Sequence, residues 1–535
     1  MARMTTAGAS AWAPLAIPVF RVLWFAQLGS NVGTWMQTVG AQWFLVDTAA
    51  STTVIALVQT ASLAPAVLFS LVAGVLADSF DRRKLLIVGS LASGVIAIGL
   101  TVAAAAGELN PLLLLGFTFL LGVTSTLTSP AWQAIQPELV PRELIGESSA
   151  LGGVTVNGAR AVGPALAGVL LSFLGVWVVF GINALSFIAA AAALLWWKRP
   201  AQVGLEDREQ FGAALRAGVR YVASAHLVRR ILLRSALFAL PASAMWALLP
   251  VVAQRLQLDS SGYGLMLGAL GVGAVAGVFV LPLARRRLSD NVVIAVSSCL
   301  FGVSTAATAF LPLLGLLPFL IVGGVAWIGT LTVLNASLQL TLPQWVRSRG
   351  AAIYILVFLG TMAIGSFLWG LAAQMISLRL ALVLAAALLL IVAISVRLLP
   401  LLPGTGTVDR TTSLSWPTPT LVFEPQPTDG PVLVSFEYTV RPDSVADFQH
   451  TMEAVRDSRR RTGGSRWRLY RSGDREDTML ESFMVASWGE FRRQQTQRLT
   501  GRDREILAAI EAHTEGPSIE RHYFPTEDDP AHKGS

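Results

Sequence analysis

Three groups of residues in this chain have types and spacings that can do chemistry. Asp78 stands four residues before Arg82, Arg83 and Lys84, in a run that begins at Gly74. A carboxylate at a helix end can pair with arginines or face the positive N-terminus of another helix, and such a pair fastens two elements reversibly. Arg160 is isolated in an apolar run, Gly158-Ala159-Arg160-Ala161-Val162-Gly163-Pro164-Ala165-Leu166-Ala167-Gly168. A guanidinium there can hold an anionic group or pair with a carboxylate, or it can bond to carbonyls such as those released by Pro164. Amides recur inside apolar stretches: Gln27, Asn31, Gln37 and Gln42, then Asn157 and Asn183, then Asn335, Gln339 and Gln374. No phosphate-binding loop, paired metal ligands or nucleophile–base set is present. The sequence therefore predicts no metal, no cofactor and no enzyme.

The elements that must position these residues are membrane helices. Residues 1–402 hold 23 basic and 12 acidic residues, whereas residues 403–535 hold 17 and 21. A soluble domain carries about 25% charged residues, so the first part is too apolar for water and the second too polar for lipid. Nucleic acid is not an expected partner; the positive charge sits in loops between apolar stretches. About 20 apolar residues cross a bilayer as a helix, and lipid leaves the backbone no other partner. Twelve spans are expected: 20–45, 53–77, 84–106, 111–133, 147–172, 175–197, 231–255, 260–284, 290–311, 315–340, 350–375 and 379–402. Loops after even spans carry 16 Lys/Arg, including Arg82, Arg142, Arg285 and Arg347, against Arg255 and Arg379 after odd spans. This bias puts the even loops and both termini in the cytoplasm of a cell with one plasma or inner membrane. Cys299 is the single cysteine, so no intrachain disulfide is expected.

The spans divide six and six. The expected domains are an N-terminal six-helix bundle (1–197), a cytoplasmic linker with an amphipathic helix (198–230), a second six-helix bundle (231–402), an extended linker (403–430), a compact domain (431–525) and a tail (526–535). Phe211, Leu215, Val219 and Val222 form the apolar stripe of the linker helix. The halves echo each other. Pro137-Glu138-Leu139-Val140 precedes Gly163-Pro164 and Gly168, and Pro343-Gln344-Trp345-Val346 precedes Gly365 and Gly370. Duplicated halves point to a transporter with its substrate site near the midplane between them.

The run Gly74 to Arg83 resembles the G-x-L-A-D-R-x-x-R-[RK] loop of the major facilitator superfamily of secondary transporters, with Ser79 and Asp81 as departures. Gly158 to Gly168 is similar to the G-x-x-x-G-P-x-x-G-G element of its exporter branch, with Ala159 and Ala167 replacing two glycines. Leu15 to Trp24 and Gln136 to Glu143 resemble the enterobactin-exporter-like branch, which also contains drug efflux pumps. The resemblance covers residues 12–402. It implies alternating access, cytoplasmic gating by Gly74, Asp78, Arg82 and Arg83, and an export-associated helix at Gly158, Gly163, Pro164 and Gly168. It also implies export of a drug, siderophore or secondary metabolite by antiport with protons or another coupling ion.

The substrate is expected to be small and amphipathic or hydrophobic, with Gln27, Asn31, Gln37, Asn157, Arg160, Asn335 and Gln339 along its pathway. Trp35, Trp43, Trp246, Trp327 and Trp369 either line an apolar cavity or face lipid. No carboxylate lies in the middle of a span. Asp47 and Glu147, at span ends, are the coupling candidates, against capping or loop roles.

The soluble part reads as a second fold. Val432, Val434, Phe436, Tyr438 and Val440 alternate as a strand. Val445, Phe448, Met452 and Val455 fit one helix face. Trp467–Tyr470 and Met479–Val485 form a hairpin, residues 488–513 a helix and Ile519–Phe524 a last strand. The order βαββαβ is ferredoxin-like, and the pattern resembles dimeric α/β-barrel domains of the antibiotic-biosynthesis-monooxygenase type. That resemblance implies a homodimer through this domain. Arg456 to Arg461 is expected to be a solvated helix end, with membrane lipid as an alternative contact. His450, His513 and His522 are not organised by any spacing. The whole is an all-α membrane protein of two pseudo-symmetric bundles plus a soluble α+β domain. Two other readings stay open: an importer of the same fold, and a membrane-tethered sensor or enzyme working through residues 431–525.

Overall fold

Residues 12–198, 211–402, 421–423 and 425–525 are described by a computed structural model, the side chains of residues 71, 75, 78, 79, 142, 211–217, 344 and 348 excepted. The chain divides into two compact units. The first is Met1–Leu205, Leu232–Leu334 and Tyr354–Pro400; the second is Glu206–Ile231, Asn335–Ile353 and Leu401–Ser535.

The first unit is helical. Its first six helices are α1 (Pro18–Asp47), α2 (Thr52–Ser79), α3 (Arg82–Ala105), α4 (Pro111–Ile135), α5 (Ile145–Leu174) and α6 (Val176–Trp196). Helix α7 (Phe211–Ser224), which belongs to the second unit, follows in the chain. The later six are α8 (His226–Arg255), α9 (Ser260–Arg285), α10 (Asp290–Phe310), α11 (Leu313–Thr341), α12 (Arg347–Met375) and α13 (Leu378–Ile394). Polar residues set the starts: Asp81 accepts from the Lys84 N–H at 2.9 Å, and Asp259 from the Gly262 N–H at 2.9 Å. Each satisfies an amide the first helical turn leaves unpaired. Asp81 thus caps α3.

Among the described residues, ten helices are long and apolar enough to cross a membrane, against twelve expected. The two left over are intelligible. The amides Gln27, Asn31, Gln37 and Gln42 interrupt α1, and α13 is 17 residues long. Helix α3 packs on α4 and α6, α2 on α4, α1 on α5 and α6, and α10 on α13. Across the two sets, α5 packs on α9.

Arg234 is a buried cation the sequence reading did not single out. It is 1% exposed in α8 and donates to the carbonyls of Leu399 at 2.7 Å and Val392 at 3.3 Å, and to the Ser395 hydroxyl. It satisfies carbonyls that the end of α13 leaves open.

The second unit holds a four-stranded antiparallel sheet of β1 (Val432–Thr439), β2 (Ser465–Arg471), β3 (Thr478–Val485) and β4 (Ile519–Tyr523), in the order β2-β3-β1-β4. Helix α14 (Val445–Thr462) follows β1; α15 (Trp488–Arg493) and α16 (Gly501–Glu511) lie between β3 and β4. Residues 488–513 are not one helix. A π-helical turn, Gln494–Arg498, ends the first piece, and Thr500 with Asp503 makes a reciprocal cap that restarts the second. Phe436, Phe448, Met452, Val455 and Phe483 form the core.

The basic run on α14 is not a solvated helix end. Arg459 is 1% exposed and bridges to Glu481 through Nε at 3.1 Å, while Arg461 pairs with Asp503 at 2.5 Å. Glu481 also accepts from Tyr438 at 2.9 Å and Trp467 at 2.9 Å. In the helix's last turn Arg459 is therefore paired by the sheet and Arg461 by α16, while Arg460 stays exposed. Burial raises the Glu490 carboxyl, but Arg498 and Arg493 outweigh it and hold the group below its usual range.

The linker helix is present; of the expected stripe Val222 is buried and Val219 is not. Val219 is 52% exposed, whereas Gly218, Tyr221 and Val222 are buried. Phe211 and Leu215 lie outside the described side chains. Within the second unit, Arg220 of α7 donates to the Gly463 carbonyl at 3.1 Å and reaches Glu490 at 3.9 Å, and Arg498 stacks 4.7 Å over Trp345.

Candidate functional site

Glycine decides where the first six helices meet the later six. A Cβ at Gly168 of α5 would lie 2.7 Å from the Ser260 carbonyl oxygen and 3.0 Å from the Gly264 Cα. One at Gly264 of α9 would lie 2.8 Å from the Pro164 carbonyl oxygen. One at Gly271 would lie 2.4 Å from the Ala161 Cα. These are backbone contacts, so α5 and α9 touch as closely as helices can. The Ser260 hydroxyl adds a bond to the Gly168 carbonyl at 3.1 Å. Helices α2 and α12 make a second seam. Thr53 bonds to Gln374, Thr60 donates to the Ala363 carbonyl at 3.0 Å, and a Cβ at Gly370 would meet Ala56. Gly163 serves a contact among the first six helices, against Trp35 of α1. Gly158 has nothing within 4 Å of a Cβ position.

Both seams involve the helix ends away from the Arg82-Arg83-Lys84 and Arg285-Arg286-Arg287 loops. On the basic-loop side lies a cavity of about 600 Å³ among α1–α6. Gln27, Asn31 and Gln37 line it, with Ser93, Thr118 and Gln136. Asn183 donates to the Gln37 side chain, which fixes that amide at the wall. The lining is rich in hydroxyls and amides and, among the described residues, contains no charged one.

At the seam, Gln42 joins the two sets of helices. It accepts from the Tyr263 hydroxyl at 2.6 Å and donates to the Trp246 carbonyl at 3.4 Å. Tyr263 was not anticipated. Its one signal is the small-residue run Ser260-Ser261-Gly262-Tyr263-Gly264 behind a capping aspartate.

Arg160 lies beside this seam. Its guanidinium is 5.5 Å from the Trp35 ring and 5.9 Å from the Trp246 ring. Its Nε and Nη1 are shielded from solvent and have no hydrogen-bond partner, so it does not spend these donors on carbonyls freed by Pro164. The rings continue as Trp246 to Trp327 at 5.3 Å and Trp327 to Phe358 at 5.9 Å. The indole N–H groups of Trp246 and Trp327 are also buried without partners. The cluster therefore offers aromatic faces and donors, one of them charged. Trp43 instead stacks on Tyr263, and Trp369 donates to the Leu240 carbonyl at 2.8 Å.

The remaining expected residues lie apart. Asn157 donates to the Gly153 carbonyl of its own helix at 3.0 Å. Asn335 and Gln339 are exposed on α11. Asp47 is exposed at the end of α1, and Glu147 is half-buried in the first turn of α5. The Asp78 side chain lies outside the described residues. Arg82 pairs with Glu138 at 2.8 Å, and Arg83 donates to the carbonyls of Leu194 and Leu195 at 2.9 Å each. These partners tie the loop to α6 and to the turn after α4, within the first six helices. Gly74 has nothing within 4 Å of a Cβ position.

Apolar helices of membrane-crossing length, meeting across glycine seams beside a polar cavity, describe a multi-pass membrane protein. The family described as "Transmembrane secretion effector" matches residues 9–524, and the chain belongs to that family of major facilitator transporters. It is 24% identical to the staphyloferrin A transporter of Staphylococcus aureus over 281 residues, 52% of this chain and 70% of that protein. It is 30% identical to the enterobactin exporter EntS of Salmonella typhi over 282 residues, 51% of this chain and 65% of that one. The matched stretch thus spans about two thirds of these relatives' own length. Among solved structures, the nucleoside transporter NupG superposes with a TM-score of 0.61 at 11% identity, covering 71% of this chain and 99% of that one. A bacterial homologue of the iron transporter ferroportin, in an inward-facing state, superposes at 0.54 and 17% identity, covering 71% and 98%. At these identities the likeness concerns the fold alone.

Proposed function

We propose that this protein is a secondary active exporter. It moves a small amphipathic, acceptor-rich compound across the cell membrane by alternating access of two six-helix bundles. The charge of the even loops supports both termini in the cytoplasm of a twelve-span chain. Closed seams on one side and a cavity on the other correspond to the cytoplasm-open member of the cycle. The observation that carries the substrate class is the Arg160 cluster: tilted and edge-on aromatic rings with unpartnered donors on Arg160, Trp246 and Trp327. Such a site takes a flat or branched body bearing carboxylate, catecholate or carbonyl oxygens. Siderophores, named in the two relatives, have that chemistry. Asp47 and Glu147 are the proposed coupling groups, with protons or another ion as counter-substrate. Asp78, Arg82 and Arg83 are the proposed cytoplasmic gate. The strand order β2-β3-β1-β4 supports a ferredoxin-like class for the C-terminal domain, with a homodimer through its sheet.

Substitution at Arg160 tests the substrate class. Arg160→Leu is expected to weaken transport of a catecholate or polycarboxylate about 10- to 100-fold, the worth of one lost charged hydrogen bond. A cationic amphipathic compound should not lose affinity. Arg160→Lys should recover part of the anionic transport, because it keeps the charge without the planar fork. Equal losses for anions and cations would remove Arg160 from the pathway. Direction is read in inverted vesicles, where uptake driven by an inward-acid gradient supports export. Uptake only into right-side-out vesicles would make the protein an importer.

A further inference from the structure

The C-terminal sheet domain contains a cavity of its own, of about 620 Å³, bounded by α16, β1, α14 and the Thr514–Ser518 loop. Its size is in the range of small-molecule sites. Phe436, Tyr438 and Arg459 line its inner part, and Leu499, Leu507 and Ile510 its apolar walls.

Arg459 sets the chemistry. Its Nε and Nη2 are spent on Glu481, at 3.1 and 3.4 Å, and its guanidinium carbon lies over the rings of Phe436 at 4.6 Å and Phe483 at 4.8 Å. Its Nη1 is buried and has no hydrogen-bond partner, although the residue is only 1% exposed. A buried donor left unmade costs about 1–3 kcal/mol, and more when charged. Glu481 is fully engaged by Arg459, Tyr438 and Trp467. Arg459 therefore lies at the inner wall with one donor unspent, and Glu481, the carboxylate it pairs with, is already occupied.

We propose that this cavity is a second small-molecule site, taking a compact, mostly apolar molecule that carries a carboxylate or carbonyl oxygen, with Nη1 of Arg459 as the anchoring donor. The site is built from residues other than those of the Arg160 cluster and does not depend on the transport reading. Its position gives occupancy a route outward. The Arg459 carbonyl accepts from the N–H groups of Gly463 at 3.1 Å and Gly464 at 2.7 Å, and the Gly463 carbonyl accepts from Arg220 of α7. A ligand on Arg459 thus bears on the helix end to which α7 is tied.

The test uses the full-length protein in lipid nanodiscs, with 4-fluorobenzoate as the probe, read by fluorine relaxation. Fluorobenzene, which lacks the oxygen, is the control. Ala508 is exposed at the rim of the cavity, so Ala508→Trp blocks it without touching the buried ion pair. The expected result is broadening of the fluorobenzoate signal that weakens at least about 10-fold in Ala508→Trp and persists in Arg160→Leu. The double variant Arg459→Met, Glu481→Leu removes both charges together and should abolish the same signal. Broadening unchanged in Ala508→Trp, or lost only in Arg160→Leu, overturns the proposal. So does fluorobenzene binding as well as fluorobenzoate in an Ala508-sensitive way, because the cavity would then be an unanchored apolar void.

Discussion

Replacing Gly264 with leucine is expected to abolish transport while leaving the protein inserted in the membrane. The α5–α9 seam closes on backbone atoms: a Cβ at Gly264 meets the Pro164 carbonyl oxygen at 2.8 Å and the Gly168 Cα at 2.9 Å. A flexible side chain can swing away, but main chain cannot. Overpacking of this kind costs about 1–3 kcal/mol. Each 1.4 kcal/mol shifts a two-state equilibrium about tenfold, so the closed state becomes a minor one and the cycle stalls. Accessibility shows the shift directly. With Cys299 changed to serine, a cysteine at Ser260, which is 3% exposed and bonds across the seam to the Gly168 carbonyl, should resist an impermeant maleimide added from the side away from the basic loops. In Gly264→Leu its labelling should rise about tenfold or more. Gly116→Leu is the control, since nothing lies within 4 Å of its Cβ position. Normal transport and unchanged labelling in Gly264→Leu would mean that the seam does not open and close during turnover.

The second large effect belongs to the buried ion pair of the C-terminal domain. Glu481→Leu removes the partner of Arg459, whose side chain is 1% exposed, and strands a buried charge against two aromatic rings. Breaking such a pair costs about 3–5 kcal/mol. The Tyr438 hydroxyl and the Trp467 N–H lose their acceptor in the same change. Hydrogen exchange in β1 and β3 of the full-length protein should accelerate by two to three orders of magnitude, roughly what that free energy gives for globally exchanging amides. Adding Arg459→Met should recover most of the protection, because no lone charge then remains. Failure of the second substitution to rescue would place the loss in packing rather than in the charge.

Much of the first unit was legible because apolar periodicity and the need to satisfy backbone groups in lipid leave a helix little choice. The start of α3 was another matter: Asp81, a departure from the family pattern, turned out to be its cap. Gly163, Pro164 and Gly168 were flagged as a close-contact element. Which neighbour each one meets was not readable, because chain spacing does not say which helix lies opposite. Gly163 faces Trp35 of α1, and Gly168 faces Ser260 and Gly264 of α9. Arg160 stood out by composition alone, whereas its two tryptophan neighbours come from α1 and α8, more than 80 residues away on either side.

The arginines of α14 show the boundary most sharply. Arg456, Arg459, Arg460 and Arg461 look alike in the sequence, and a helix end rich in basic residues is usually solvated. Only the sheet beneath distinguishes them, by placing Glu481 under Arg459 and leaving Arg460 outside. The sequence by itself determined what is local or summed along the chain: membrane helices, their loop charges, the family and the alternating strands. The tertiary structure alone decided what depends on residues distant in the chain. Those features are the seam of Gly168 and Gly264, the donors gathered around Arg160, and the buried guanidinium of Arg459. The physical reason is that their energies depend on distance and burial, and both are properties of the packed molecule.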